Sequence, residues 1–276
     1  HFHSYKDIYK RAHCVMNQIL KDGTVGKALV MLDIVATAGH ALRFNNILAL
    51  SPFPKATTYR FLQTMTSQGM LSYDAESQKY SLGMRLVRLA HNAWTQASLG
   101  PIAAPHLNQL ARQVGETVHL AQIENGQVLF IDKRHTSERF ETLAQVGRIA
   151  PAHCTGVGKV MLAFMQPERQ EYSLQRQTFI KFTSTTITHK KALLEELAHI
   201  RSEGLAYDRE EHENGIISIA APILTSLGQV MGAISIATST SRHTVEDLKQ
   251  YKDLLIATTI AVSSEAEHCL HPTGGN

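Results

Sequence analysis

Cysteine is nearly absent from this chain: three residues, Cys14, Cys154 and Cys269, in 276. They are too few and too scattered for a disulfide framework or a zinc site. Long apolar runs are missing as well. No stretch of about 18 consecutive apolar residues occurs, so a membrane-spanning helix is not expected. Nor does a basic segment lead into an apolar core and a small-residue cleavage site, so a secretory leader is not expected. The fifteen histidines show no HExxH or Cys/His ligand spacing, and neither a metal nor a cofactor is expected. These absences leave a cytoplasmic globular protein as the expectation.

What is present is size and an uneven charge. At 43% hydrophobic and 18% charged residues, the chain is long enough for two domains with separate cores. Residues 1–100 hold eleven Lys/Arg against five Asp/Glu, a net of +6, whereas residues 101–276 hold sixteen against nineteen, a net of −3. The front half suits a polyanion and the back half does not.

Residues 1–23 show no clean periodicity and read as an N-terminal extension. From Gly26 onward, Ala28, Leu29, Leu32, Val35 and Ala36 form a helical stripe that ends near Gly39. A second short helix spans Phe44 to Leu50, with Phe44, Ile47 and Leu48 as its buried positions. The turn Ser51–Pro54 leads into a third helix, opened by Pro54 and closed by Gly69. Within it, Thr58, Phe61, Leu62 and Met65 fall at i, i+3, i+4 and i+7 and form the buried stripe. The opposite face carries Lys55, Thr57, Tyr59, Arg60, Gln63 and Thr64. All of them can donate hydrogen bonds and none is acidic, as a DNA-recognition helix requires.

Leu71–Tyr73 and Lys79–Leu82 are short extended runs around a polar turn, which reads as a hairpin. Three helices and a hairpin make a winged helix-turn-helix over residues 24–83, whose second motif helix enters the major groove. Lys55 and Thr57 lie in the first turn, where free backbone N–H groups favour a phosphate. Tyr59, Arg60 and Gln63 are placed for base edges, with Arg bidentate to guanine and Gln to adenine. Lys79 is the phosphate contact expected of the wing. Residues 84–100 continue as a linker helix and a candidate dimer contact.

The second half alternates helices and strands. Ile102–Val114 is amphipathic and stops at Gly115. Thr117–Ile123 and Gln127–Asp132 are strands joined by Asn125-Gly126, a strong hairpin signal. Thr142–Val146 reads as a further strand, and Thr155–Phe164 as a helix with Thr155 at its N-cap. Ala192–Arg201 is a helix ended by Gly204. Ile216–Pro222 and Gln229–Ala237 are apolar strands. Thr244–Glu267 is a long closing helix, with Thr244 and Asp247 spaced as a capping box. The fold class expected is α+β, with an antiparallel sheet covered by helices over residues 101–270 and a tail at 271–276.

With these motifs in order, the sequence resembles the IclR family of bacterial transcriptional regulators from about Thr24 to about Leu270. The stretches that carry the resemblance are TVGKALVMLDIV, PKATTYRFLQTM, YSLG (Tyr80–Gly83), GETVHLA (Gly115–Ala121), GRIAPAHCTGVGKVMLA (Gly147–Ala163), TTIT (Thr185–Thr188) and GLAYDREEHENGIISIAAP (Gly204–Pro222). The resemblance implies an N-terminal winged helix, a C-terminal effector-binding domain similar to a GAF domain, and homodimers or dimers of dimers (homotetramers) on double-stranded operator DNA. It also implies a regulator, most often a repressor of a catabolic operon, that answers to a small organic acid. Two positions depart from the family pattern. Arg43 stands where Ser or Thr usually caps the second helix, and Pro52 stands where the turn usually carries Gly.

CTGVGK (Cys154–Lys159) places Thr155 and two glycines at a helix start, where exposed N–H groups and the helix dipole favour an anion. Tight packing of helix on sheet would explain the glycines equally well. The resemblance implies an effector site at the matching positions Gly156, Val157, Asp208, Ser218 and Ser235. There, N–H groups and hydroxyls would hold a carboxylate, and Asp208 would accept from an effector hydroxyl. Val146, Ile149 and Ile219 are candidate apolar walls, and Arg148 is expected at the surface. The run Glu210–Glu213 reads as a solvated acidic turn rather than a metal site. A competing reading makes the protein a GAF-like redox or sulfur-substrate enzyme acting through Cys154, although an inert buried cysteine fits the sequence better.

Overall fold

The computed structural model describes residues 23–97, 99–135 and 142–270; the expected extension before Gly23 and the tail at 271–276 lie outside the described residues. The chain divides at Gln96/Ala97 into two compact units. The first runs α1 (Gly23–Thr37), β1 (Leu42–Arg43), α2 (Phe44–Leu50), α3 (Lys55–Ser67), β2 (Leu71–Asp74), β3 (Lys79–Leu82) and α4 (Met84–Ala97). Strand β3 lies between β1 and β2 in an antiparallel sheet, so the wing has a third strand that the sequence did not announce.

The buried stripe of α3 is Thr58, Phe61, Leu62 and Met65, as its spacing predicts. It closes on Val30, Met31, Ile34 and Val35 of α1, on Ile47 of α2, and on Leu71 and Tyr80 of the wing. Each such fully buried aliphatic side chain contributes roughly 1.5–3 kcal/mol of transfer free energy. Helix α1 turns inward a face that overlaps the expected one only in part, with Val35 buried and Ala28 and Leu32 packed on the core. Leu29 is half exposed and Ala36 exposed, while Met31 and Ile34 are buried. The reason is that α1 is apolar nearly all round, so periodicity alone does not single out a face.

Arg43 does occupy the N-cap of α2 and makes no side-chain cap. Its backbone instead pairs with Lys79 of the wing, which fixes the chain at the helix start by a ladder position. The turn after α2 is held by Ser51. Its hydroxyl accepts from the Phe53 N–H at 3.1 Å and lies 2.8 Å from the Thr58 hydroxyl. Pro54 is the N-cap rather than the first helical residue of α3, and Gly69 (φ +69°) follows the helix in the left-handed conformation that ends it.

The second unit comprises α5 (Gly100–Val114), β4 (Thr117–Glu124), β5 (Gln127–Arg134), β6 (Ile149–Pro151), α6 (Gly156–Phe164), α7 (Pro167–Leu174), α8 (Lys190–Glu203), β7 (Ala206–Arg209), β8 (Ile216–Leu224), β9 (Val230–Ser239) and α9 (Lys252–Leu270). Its sheet has the order β6-β5-β4-β9-β8-β7, with every neighbouring pair antiparallel. The period of two sorts the side chains. Ala121, Ala220 and Ala233 face α6 and α8, and their small size lets those helices approach. Val118, Leu120, Ile219, Ile234 and Ile236 point the other way and are covered by α5 and α9.

Three expectations need correction. Thr142–Val146 is a loop, not a strand. Lys133 Nζ donates to the Ala144 carbonyl at 3.1 Å and to Thr142 Oγ1 at 3.3 Å, so a side chain takes the place of a ladder. Helix α7 was not foreseen, although Pro167 at its first position and Glu168 in its first turn carry the signal. The Thr244–Asp247 capping box forms, but the turn it opens, Asp247–Tyr251, is 3₁₀ before α9 begins.

Candidate DNA-binding face and effector cavity

On α3, Lys55, Tyr59, Arg60, Gln63 and Thr64 are exposed and Thr57 is half-buried. The Thr58 N–H is the first to reach an intrahelical acceptor, Pro54 O at 2.9 Å, so the preceding N–H groups stay available as a helix start requires. Tyr59 stands 53% exposed, with its ring edge-on to Phe44 of α2 at 6.0 Å. Gln63 is exposed on the same face. Arg60 has no ion pair or hydrogen bond among the described residues, and its guanidinium remains open to a ligand. Lys79 is half-buried beside the turn of the wing, opposite Asp74 in the ladder. Its charge is therefore partly matched, and it is the weakest of the expected phosphate contacts.

Arg43, Asn45 and Lys55 line a concave surface of about 800 Å³ together with Tyr59, Tyr73 and Gln78. Arg43 and Asn45 were not picked out as site residues from sequence. Their signal was only the unusual cap at Arg43.

In the second unit, Gly156, Val157, Asp208, Ser218 and Ser235 all line one cavity of about 40 Å³. Four elements deliver them. Asp208 and Ser218 are directly opposed across β7 and β8, while Ser235 of β9 is opposed by Ala220 and His119. Gly156 and Val157 begin α6, and Thr155 caps it by accepting from the Gly158 N–H at 3.3 Å.

The two glycines of the motif do different work. A Cβ on Gly158 would stand 2.5 Å from the Ala152 backbone, so this glycine serves close packing. A Cβ on Gly156 would stand 2.9 Å from Ser218 Oγ, in the cavity itself. The candidate apolar walls do not line the cavity, and Ile219 is core, the equally open alternative. Val146 and Ile149 are exposed and Ile219 faces the opposite side of the sheet; Phe130, Ala144, Ile216 and Ala237 line the cavity instead. Arg148 is exposed, as expected.

The acidic run is not a solvated turn. Glu211 is 3% exposed and accepts from Lys159 Nζ at 2.5 Å, and that Lys159, with no exposed surface, also donates to Glu196 at 3.0 Å. Arg209 joins Glu196 at 3.2 Å. Glu213 instead accepts from the Leu143 N–H at 2.8 Å and so pins the loop over the cavity. No group of three His, Cys, Asp or Glu suited to a metal occurs among the described residues. Cys154 is fully buried, and burial, then the nearby Asp208 and Glu211 carboxylates, push its thiol far up. A thiol held protonated is a poor nucleophile.

Asp208 accepts from the Glu211 N–H at 2.7 Å. Burial, then the neighbouring Glu211, raises its carboxyl from the ordinary 3.8 to about 7. The folded state therefore holds a proton that the unfolded state has lost, and stability falls as pH rises from about 4 to about 7, then levels. Asp208→Asn keeps the acceptor and removes the charge. At pH 8 it is expected to exceed wild type in stability by roughly 1–4 kcal/mol, with no difference near pH 4. Urea unfolding at the two pH values checks this, and equal stability at pH 8 would contradict it.

A winged helix with an unpaired cationic face, in one chain with a sheet domain enclosing a polar cavity, defines a DNA-binding regulator with a ligand-sensing domain. The comparisons with known proteins agree. Residues 24–75 match the IclR helix-turn-helix domain and residues 91–264 match the bacterial transcriptional regulator IclR C-terminal domain; the chain belongs to the IclR family. It is 32% identical over 218 residues to the transcriptional regulator KdgR of Escherichia coli, covering 79% of this chain and 83% of KdgR. It is 29% identical to XynR of the same organism, covering 87% of this chain and 95% of that one. Among solved structures it is similar to an IclR homolog of Microbacterium hydrocarbonoxydans complexed with 4-hydroxybenzoate, at TM-score 0.75 and 25% identity, covering 90% and 98% of the two chains. These relatives are transcriptional regulators, and this protein is a ligand-responsive DNA-binding regulator rather than an enzyme. No helix among the described residues is long and apolar enough to cross a membrane.

Proposed function

We propose that the protein is a cytoplasmic repressor of a catabolic operon, released from its operator by a small organic acid. Residues 24–83 would read the operator through Lys55, Thr57, Tyr59, Arg60, Gln63 and Thr64, with Lys79 on a flanking phosphate. Residues 84–100 form the linker, and residues 101–270 hold the acid among Gly156, Val157, Asp208, Ser218 and Ser235. The observation that carries this reading is the convergence of those five residues, from four elements, on one cavity. First-turn N–H groups and two serine hydroxyls are anion donors, and a protonated Asp208 can donate as well.

Two relatives favour the assignment. One, 31% identical, is the DNA-binding transcriptional repressor YiaJ of Escherichia coli, and the Microbacterium homolog binds an aromatic hydroxy acid. Met84, Val87 and Leu89 stand exposed on α4, an apolar surface suited to homodimers or dimers of dimers. The test is release of bound operator DNA by a panel of keto, sugar and aromatic acids. At least one acid is expected to release wild type but not Gly156→Ala, whose methyl enters the cavity. Release of both proteins by the same acid at the same concentration would overturn the site.

A further inference from the structure

His119 lies in the GETVHLA stretch but is not among the effector positions the resemblance implies, yet it lines the cavity from β4 directly opposite Ser235. It is 2% exposed, and its Nε2 is buried with no hydrogen-bond partner. The Ala144 carbonyl stands close enough to favour a hydrogen on the ring. A carbonyl only accepts, so a ring hydrogen turned to it would sit on Nδ1 and leave the unpartnered Nε2 bare. Burial, then the nearby Lys133 charge, holds the ring proton affinity down to about 3, so the imidazole is neutral. A neutral ring protonated on Nδ1 presents Nε2 as an acceptor and offers a carboxylate nothing.

The rest of the lining has the opposite character. The first-turn N–H groups of Gly156 and Val157 are donors, and the hydroxyls of Ser218 and Ser235 have no hydrogen bond among the described residues. The cavity thus has donors where α6 begins and an unfilled acceptor on the sheet floor. An anion alone satisfies one and not the other. Unpaired buried acceptors are rare in folded proteins because they forfeit a hydrogen bond to water.

We propose that His119 Nε2 accepts a hydrogen bond from a hydroxyl of the effector, so the ligand is a hydroxy acid whose carboxylate meets the start of α6. This rests on the reading of the cavity as an acid site and adds the second recognition group. A site built to bond a hydroxyl rejects the analogue lacking it, since its own polar group is then left unpaired. His119 is a specificity residue, and Ser235 beside it can share the same hydroxyl.

The experiment is calorimetric titration of the full chain with matched pairs of acids differing by one hydroxyl. The pairs are glycolate and acetate, lactate and propionate, and 4-hydroxybenzoate and benzoate. Within the pair that fits, wild type is expected to bind the hydroxy acid at least about tenfold more tightly. His119→Phe should bring that ratio near one while still binding acid, and His119→Gln, which keeps an acceptor, should retain part of it. Where His119→Phe fails to fold, the ¹⁵N signal of wild-type His119 Nε2 should shift on adding the hydroxy acid and not its partner. Acid binding without hydroxyl preference, or with a preference unchanged in His119→Phe, overturns this inference and leaves the acid site standing. Absence of binding by any acid overturns both.

Discussion

Lys159→Ala is expected to destabilise the protein by about 3–5 kcal/mol at pH 8, the range for removing one partner of a buried ion pair. Lys159 has no exposed surface and is the only cation among the described residues that Glu211 and Glu196 share, at 2.5 and 3.0 Å. Without it, Glu211 keeps a buried carboxylate, one oxygen of which already lacks a partner. Burial raises the Glu211 carboxyl above its ordinary 4.5, and Lys159 is the main influence opposing this. Removing that influence lifts it further, so the folded state binds a proton that the unfolded state has released at neutral pH. The deficit should therefore grow as pH rises above about 4.5 and shrink toward pH 4. Denaturant unfolding at pH 5 and pH 8 reads this directly. A loss below about 1 kcal/mol at pH 8 would show that the network is not what holds the Asp208–Glu211 turn under the cavity.

Arg60→Ala is expected to weaken binding to specific DNA by about 1–3 kcal/mol, or roughly 5- to 150-fold, and to relax base preference at one position. Arg60 is exposed on α3 and bonds to nothing among the described residues, so no structural role competes with a base contact. Stability should be unchanged for the same reason. Binding to duplexes enriched from a randomised library, followed by footprinting, measures both effects. Unchanged affinity and unchanged base preference would remove Arg60 from the interface.

Sequence made α3 legible because its two faces differ sharply, with Thr58, Phe61, Leu62 and Met65 inward and cations outward. It placed the inward face of α1 only in part, because that helix is apolar nearly all round. Strand β1 has two residues and exists only because β3 pairs with it, a long-range fact without a local signal. The effector positions were legible through motifs, and Thr155 through its cap. His119 was not, because a histidine inside the apolar run of a strand reads as core until the cavity and the empty Nε2 are seen. Glu211 was misread for a related reason. Four consecutive charged or polar residues look solvated, and only the partner 52 positions earlier in sequence buries one of them.

Contact between the outward face of α3 and duplex DNA should show itself in the salt dependence of binding. Affinity for a library-selected duplex would be measured from about 50 to about 300 mM monovalent salt, for wild type and Lys55→Ala. A linear fall of log affinity with log salt is expected, with a steep negative slope that is shallower by about one in the variant. A slope near zero, or the same slope in both proteins, would contradict it.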